Sequence, residues 1–213
     1  MKTIKKTTQI IVTAWMLAAC SKPEQSVAPF IGNETLTNVI LKLVNQANPA
    51  DSVKCEWYQL LSPTGTPLPA DTLHAFLNLK RNSVYTGYIL ILDSTQTPAT
   101  DVSLEIYDRR NYHLFYYQPT PVAPTNLVIS DTTANIPGTP TSPTGPYLQL
   151  VVKRSDYDSN TPPLQVGLNT VWTTGAASSG RLRVVLRHQP NAKNGTYSPG
   201  SSDLDVNYTI NIN

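Results

Sequence analysis

The sequence predicts an all-β fold: a single antiparallel β-sandwich, immunoglobulin-like in general architecture. Three observations predict it. Apolar residues recur with period two, as they do when one face of a strand is buried and the other solvated. Turn formers punctuate the runs, with 18 Pro and 10 Gly. Helical periodicity is hard to find, and only 14% of residues are charged, which argues against a charge-rich disordered chain or a long coiled coil.

The runs follow in order. Val39, Leu41 and Leu43 alternate with Asn38, Ile40 and Lys42. Val53, Cys55 and Trp57 alternate with Lys54, Glu56 and Tyr58. Leu73, Ala75, Leu77 and Leu79 share one face of the next segment. Residues 84–92 are apolar enough to be covered on both faces. Val102, Leu104 and Ile106 continue the alternation, then Leu148, Leu150 and Val152, then Leu164, Val166 and Leu168. Leu182, Val184 and Leu186 alternate with arginines, and Leu204 to Ile212 makes the last strand. About nine short strands separated by Pro- and Gly-rich turns read as a sandwich. Their order does not follow from periodicity.

The first 32 residues read differently. Lys2, Lys5 and Lys6 precede an apolar run from Ile10 to Ala19 that only Thr13 interrupts. This is the basic, apolar, small-residue order of an export signal over residues 1–19. The run is shorter than the roughly 20 apolar residues a spanning helix needs. Leu17-Ala18-Ala19-Cys20 is similar to a bacterial lipobox. That resemblance implies cleavage before Cys20 and acylation of its thiol and amino group, so Cys20 is the expected lipidation residue. Several acyl chains hold a protein stably on a membrane. Residues 20–32 then form a polar, Pro-containing tether, and residues 33–213 the sandwich. Ser21 after the cysteine is similar to outer-membrane lipoproteins. Removing residues 1–19 leaves 13 basic against 14 acidic side chains. A nearly neutral chain gives no electrostatic case for nucleic acid.

Residues 118–146 hold seven prolines and form the least regular stretch of the domain. With Cys20 expected to carry lipid, Cys55 has no partner and reads as a small buried hydrophobe.

Four groups of residues are candidates for chemistry. Asp156, Asp158 and Asn160 place oxygens at alternate positions, a spacing that can wrap calcium. The glycine and distal glutamate of an EF-hand are absent, and the same residues also build ordinary turns. Tyr107, Tyr112, Phe115, Tyr116 and Tyr117 form an aromatic cluster suited to core packing or to a ligand surface. Adjacent Tyr116 and Tyr117 point to opposite faces of a strand, which leaves one of them exposed. His113 and His188 are separated in sequence but free to meet in space. Arg183 and Arg187 face Asp203 and Asp205 if their strands form a hairpin, giving cross-strand ion pairs. No nucleophile elbow, phosphate loop, dinucleotide fingerprint or zinc spacing occurs.

The runs Thr174-Gly175 to Gln189-Pro190 and Pro199-Gly200-Ser201-Ser202-Asp203-Leu204-Asp205-Val206 resemble the C-terminal hairpin of lipoproteins common in Bacteroidota. In these lipoproteins a strand ends in Leu-Arg-His-x-Pro and the next opens with Gly-x-x-Asp-x-Asp-Val. Residues 34–39 and 86–88 also fit that pattern. The resemblance implies a lipid-anchored β-sandwich, often associated with TonB-dependent outer-membrane receptors. The chain departs from the pattern at residues 105–117, where Arg109 and Arg110 replace much of an acidic cluster.

The expected function is therefore a non-catalytic binding or accessory module beside an outer-membrane uptake system. The alternative is an adhesive surface module that binds a polymer or a protein. Tyr112, His113, Tyr116, Tyr117 and His188 are the expected ligand or interface residues, and calcium at Asp156, Asp158 and Asn160 is the one cofactor the spacing offers.

Overall fold

A computed structural model describes residues 35–121 and 145–213. The expected signal, Cys20, the tether and most of the Pro-rich stretch lie outside the described residues. Residues 33–213 form one compact unit, a β-sandwich.

Where the alternation is cleanest, it becomes sheet. The first sheet contains β1 (Asn38–Asn45), β2 (Val53–Tyr58), β4 (Val84–Asp93), β7 (Leu150–Arg154) and β8 (Asn169–Thr174), in the order β2-β1-β4-β8-β7. A two-residue strand, β5 (Thr100–Asp101), also pairs with β4. The second sheet runs β3 (Phe76–Leu79), β10 (Ser201–Ile212), β9 (Ser178–His188) and β6 (His113–Thr120). All pairings are antiparallel except β3 with β10. The sandwich is antiparallel apart from that one pair among the described strands. Parallel partners need a long crossover, and most of the domain lies between β3 and β10.

The period-two residues meet in the interlayer. Val39, Leu41, Leu43, Ile89, Ile91, Val152 and Trp172 from one sheet pack with Leu77, Phe115, Tyr117, Val184, Leu186, Val206, Tyr208 and Ile210 from the other. Each fully buried large side chain stabilises the fold by about 1.5–3 kcal/mol. Buried tyrosines require hydrogen-bond partners. Tyr208 Oη donates across the interlayer to the Val39 carbonyl at 2.7 Å, and Tyr117 Oη donates to the Gly167 carbonyl at 2.6 Å. Gly87 is where Trp172 crosses β4: a Cβ there would stand under 3 Å from Thr170 Oγ1, Trp172 Nε1 and a Leu43 methyl.

Three sequence expectations are corrected. Residues 102–108 form a helix, α1 (Val102–Asp108), not a strand. The carboxylate of Asp101 caps it by accepting the Ser103 N–H at 2.9 Å. Val102 and Ile106, one helical turn apart, are buried while Leu104 is 62% exposed, so an i, i+4 pair had imitated alternation. Residues 164–168 form no strand. Val166 and Leu168 are buried, but the segment pairs only through the Tyr157–Gln165 bridge and scattered backbone bonds. Leu73 is 86% exposed, whereas Ala75, Leu77 and Leu79 are buried.

The register gives the sandwich two distinct ends. Asn38 lies opposite Leu92, the Ile89 N–H bonds Leu168, the Phe115 N–H bonds Val166, and His113 lies opposite His188. The end where the chain enters the domain is therefore also the end that carries residues 109–112, 155–168 and 189–200. At the other end Thr174 Oγ1 donates to the Lys80 carbonyl at 2.6 Å and accepts the Ser83 N–H at 2.9 Å.

Candidate functional site

The chain-entry end carries most of the predicted site residues, in two clusters of ionisable side chains.

The first cluster is a latch. Residues 189–200 fold back over the outer face of β6 and β9, where Leu114, Tyr116 and Val185 form a second small core with Tyr197. Arg187, 8% exposed, donates to the carbonyls of Tyr197, Pro199 and Gly200 and to Ser202 Oγ. Gln189 Nε2 donates to the carbonyls of Thr196, Tyr197 and Pro199. Gly200 sits at φ +86, against the His188 carbonyl, a conformation that disfavours any side chain. Lys193 Nζ reaches Asp158 Oδ2 at 2.7 Å and the Arg110 carbonyl at 2.9 Å. Both side chains of this ion pair are almost fully buried, at 1% and 0% exposure.

Lys193 takes the place of the calcium ion that the sequence suggested. The Asp158 carboxylate accepts from Lys193, from the Leu164 and Asn160 N–H groups and from Asn160 Nδ2. Burial alone would raise the Asp158 carboxyl, but Lys193 and those amides outweigh it and hold it below its usual value. Burial depresses the Lys193 ammonium, against the pull of Asp158. The Asp156 carboxylate caps a turn by accepting the N–H groups of Gly167 and Leu168 at 2.7 and 3.1 Å; burial raises it. The Asp156 and Asp158 carboxylates thus face protein donors, and Asn160 turns its amide nitrogen to Asp158 and the Asn111 carbonyl, so this arrangement does not fit calcium.

The second cluster lies on the core-facing side of the same sheet end. The column Phe115–Leu186 continues to His113–His188, directly paired across β6 and β9. Their rings stack with centroids 5.0 Å apart and planes 16° from parallel. Asp203 comes from the third strand. The β9–β10 register slips between Ser202 and Leu204, so Asp203 is the extra residue of a bulge, and bulges re-aim side chains. Its Oδ2 lies 4.0 Å from His113 Nε2 and 3.9 Å from His188 Nδ1, outside hydrogen-bonding range. His113 Nδ1 lies 3.1 Å from the Arg109 carbonyl; a carbonyl only accepts, so Nδ1 carries the proton. Burial first, then the neighbouring His188, pushes His113 down to about 4. Burial raises Asp203, against His188 and Arg187. Among the described residues no three His, Cys, Asp or Glu side chains are drawn together at metal-ligand distances.

The aromatic expectation changes. Tyr116 and Tyr117 do point to opposite faces, yet both are buried, because residues 189–200 cover the outer one. Tyr116 Oη donates to the Gly195 carbonyl at 3.2 Å, and its ring meets Tyr197 edge-on at 5.2 Å. Neither presents a surface to a ligand. Tyr112 is half-buried, and its carbonyl accepts the Gln189 N–H at 2.7 Å. Tyr107 is 51% exposed, under the Arg110 guanidinium at 4.6 Å.

The hairpin expectation divides. Arg183 bonds Asp205 at 2.8 and 2.5 Å, diagonally across the ladder. Arg187 does not reach Asp203: the bulge turns the carboxylate toward the histidines while Arg187 serves the loop carbonyls. Sequence reasoning missed Lys193 and the turned Asp203. Neither leaves a signal, because a loop lysine and a bulge have no periodicity.

Beside the point of chain entry, Thr35, Thr37, Ser62, Ser94 and Thr95 line an open groove of about 390 Å³ with Leu60 and Leu61. Burial pushes the Cys55 thiol up to about 12, so it stays protonated and inert. The chain matches no family profile, no curated protein and no solved structure.

Proposed function

We propose that the chain is a lipid-anchored, non-catalytic module that binds a ligand or assists a receptor beside an outer-membrane uptake system. One observation carries this reading: Leu17-Ala18-Ala19-Cys20 follows a basic, apolar leader and precedes a polar tether and a folded sandwich. No helix among the described residues is long and apolar enough to cross a membrane. The similarity of the chain's C-terminal hairpin to receptor-associated lipoproteins supports the partner class.

The test has two parts. Cys20→Ser should move the protein from the membrane fraction to the soluble fraction; continued membrane association would refute lipid anchoring. Affinity capture of the native lipoprotein from detergent-solubilised outer membranes should recover a TonB-dependent receptor. Recovery of the lipoprotein with a surface polymer and no receptor component would favour the adhesive reading instead.

A further inference from the structure

We propose that the hairpin of residues 59–70, with Leu73 beside it, seats on the surface of an uncharged lipid bilayer, the one that holds the anchor. This docking rests on the lipid anchor at Cys20 proposed above.

The hairpin begins where the first sheet stops. Tyr58, the last residue of β2, pairs with Asn38 and bridges to Asp71. Residues 59–70 therefore run out beyond the chain-entry end and return. The Leu60 carbonyl accepts the Leu68 N–H at 2.9 Å, Leu61 bridges to Pro67, and the Ser62 carbonyl accepts the Gly65 N–H at 2.8 Å. A Cβ on Gly65 would meet nothing within 4 Å, so the tip stands clear of the sandwich. Internal bonds and Pro63, Pro67 and Pro69, which have no N–H, leave few backbone donors to strip of water at a lipid surface.

The side chains point to lipid. Residues 59–70 contain no Asp, Glu, Lys or Arg. Leu60 and Leu68 stand opposite one another, on one face of the hairpin, and are 46% and 40% exposed; Leu73 is 86% exposed. Single exposed leucines are ordinary on a protein surface, but here they gather at one end. Leu104 and Tyr107 lie on α1, which carries the chain from β5, opposite Leu92, to the start of β6, and Tyr157 lies in the turn after β7. All six are at the chain-entry end. The other exposed large hydrophobics among the described residues are Val44 and Val84 at the opposite end and Phe76 on β3.

The anchor decides which end meets the bilayer. Thr35 shares a groove with Leu60, Leu61 and Pro63, so the chain enters the domain beside the hairpin. Residues 21–34 reach at most roughly 50 Å from an acylated Cys20. Tethering makes docking intramolecular, so a weak contact suffices. Leucine enters the acyl boundary and tyrosine stays at headgroup level. With no cation in the hairpin, the attraction is hydrophobic and does not need anionic lipid.

The test uses the full lipoprotein reconstituted in phosphatidylcholine vesicles, with Leu73→Cys carrying an environment-sensitive dye. Acylation consumes the Cys20 thiol and Cys55 is buried, so the label is selective. Dye emission should move to shorter wavelength and be quenched by spin-labelled lipid, and added salt should not reverse it. The same dye at Val44→Cys should stay in water. Leu60→Ser with Leu68→Ser should lower the docked-to-free ratio at least about tenfold, the yield of burying one leucine. Circular dichroism melts of each variant separate lost docking from lost folding. Acylated protein whose Leu73 dye remains in water, or equal quenching at Val44, overturns the docking alone. Emission that shifts only when outer-membrane protein is added assigns the face to a protein partner and also overturns it. A protein mass without the acyl chains overturns the anchor and the docking together.

Discussion

Lys193 and Asp158 meet at 2.7 Å, whereas Asp203 Oδ2 stops 4.0 Å from His113 Nε2 and 3.9 Å from His188 Nδ1. The two clusters occupy the same end of the sandwich and differ in what completes them. The first holds its own cation, delivered by residues 189–200 and surrounded by amide donors. The second sets one carboxylate beside two stacked imidazoles without a hydrogen bond between them. Carboxylates near one another thus do not mark a metal site; what matters is whether the chain has already satisfied them.

The largest effect should come from breaking the closed cluster. Lys193→Met leaves Asp158 buried without a counter-charge, which should cost about 3–5 kcal/mol in denaturant unfolding. The double variant Lys193→Met with Asp158→Leu should recover most of that loss, because no buried charge is then unpaired. Equal destabilisation of single and double variants would show that the latch acts through packing alone.

Gly87→Ala should follow, at about 1–3 kcal/mol, by driving a methyl into Trp172, Thr170 and Leu43. Its melting temperature should fall in a thermal unfolding scan.

The closed cluster also sets an acid response. The Asp158 carboxyl lies below its unfolded value. Its contribution is therefore complete above the ordinary carboxylate range and is lost as pH falls through the depressed folded value. Wild-type stability should drop on acidification below about pH 4, and Asp158→Asn with Lys193→Met should flatten that part of the profile.

In the open cluster the effect should be small. Asp203→Asn removes a carboxylate that accepts no hydrogen bond from the described residues, so its stability should change by less than about 1 kcal/mol. An amide can donate to the His113 lone pair, so stabilisation is the expected sign. The exposed Arg183–Asp205 pair should be worth about 0.2–1 kcal/mol and weaken with salt.

The fold was legible where burial is one-sided. Leu204, Val206, Tyr208 and Ile210, or Leu77 and Leu79, face a single core while the residues between them are exposed, so alternation in sequence is alternation in space. It failed where a second constraint ruled. Asp101 capping made a helix of residues that alternate, and residues 189–200 buried Tyr116 on the face that alternation leaves to solvent. Of the site, the His113–His188 meeting was legible only as a permitted contact. Asp203 was read as an arginine partner, because a bulge shifts a side chain without changing the pattern of residues. Lys193 was silent, since its role comes from where a loop lands.

The most direct test is a crystal structure of the protein grown with calcium. The Lys193 ammonium should stand about 2.7 Å from Asp158 Oδ2, with no ion among Asp156, Asp158 and Asn160. Calcium in the Asp158 turn with Lys193 displaced would contradict the account.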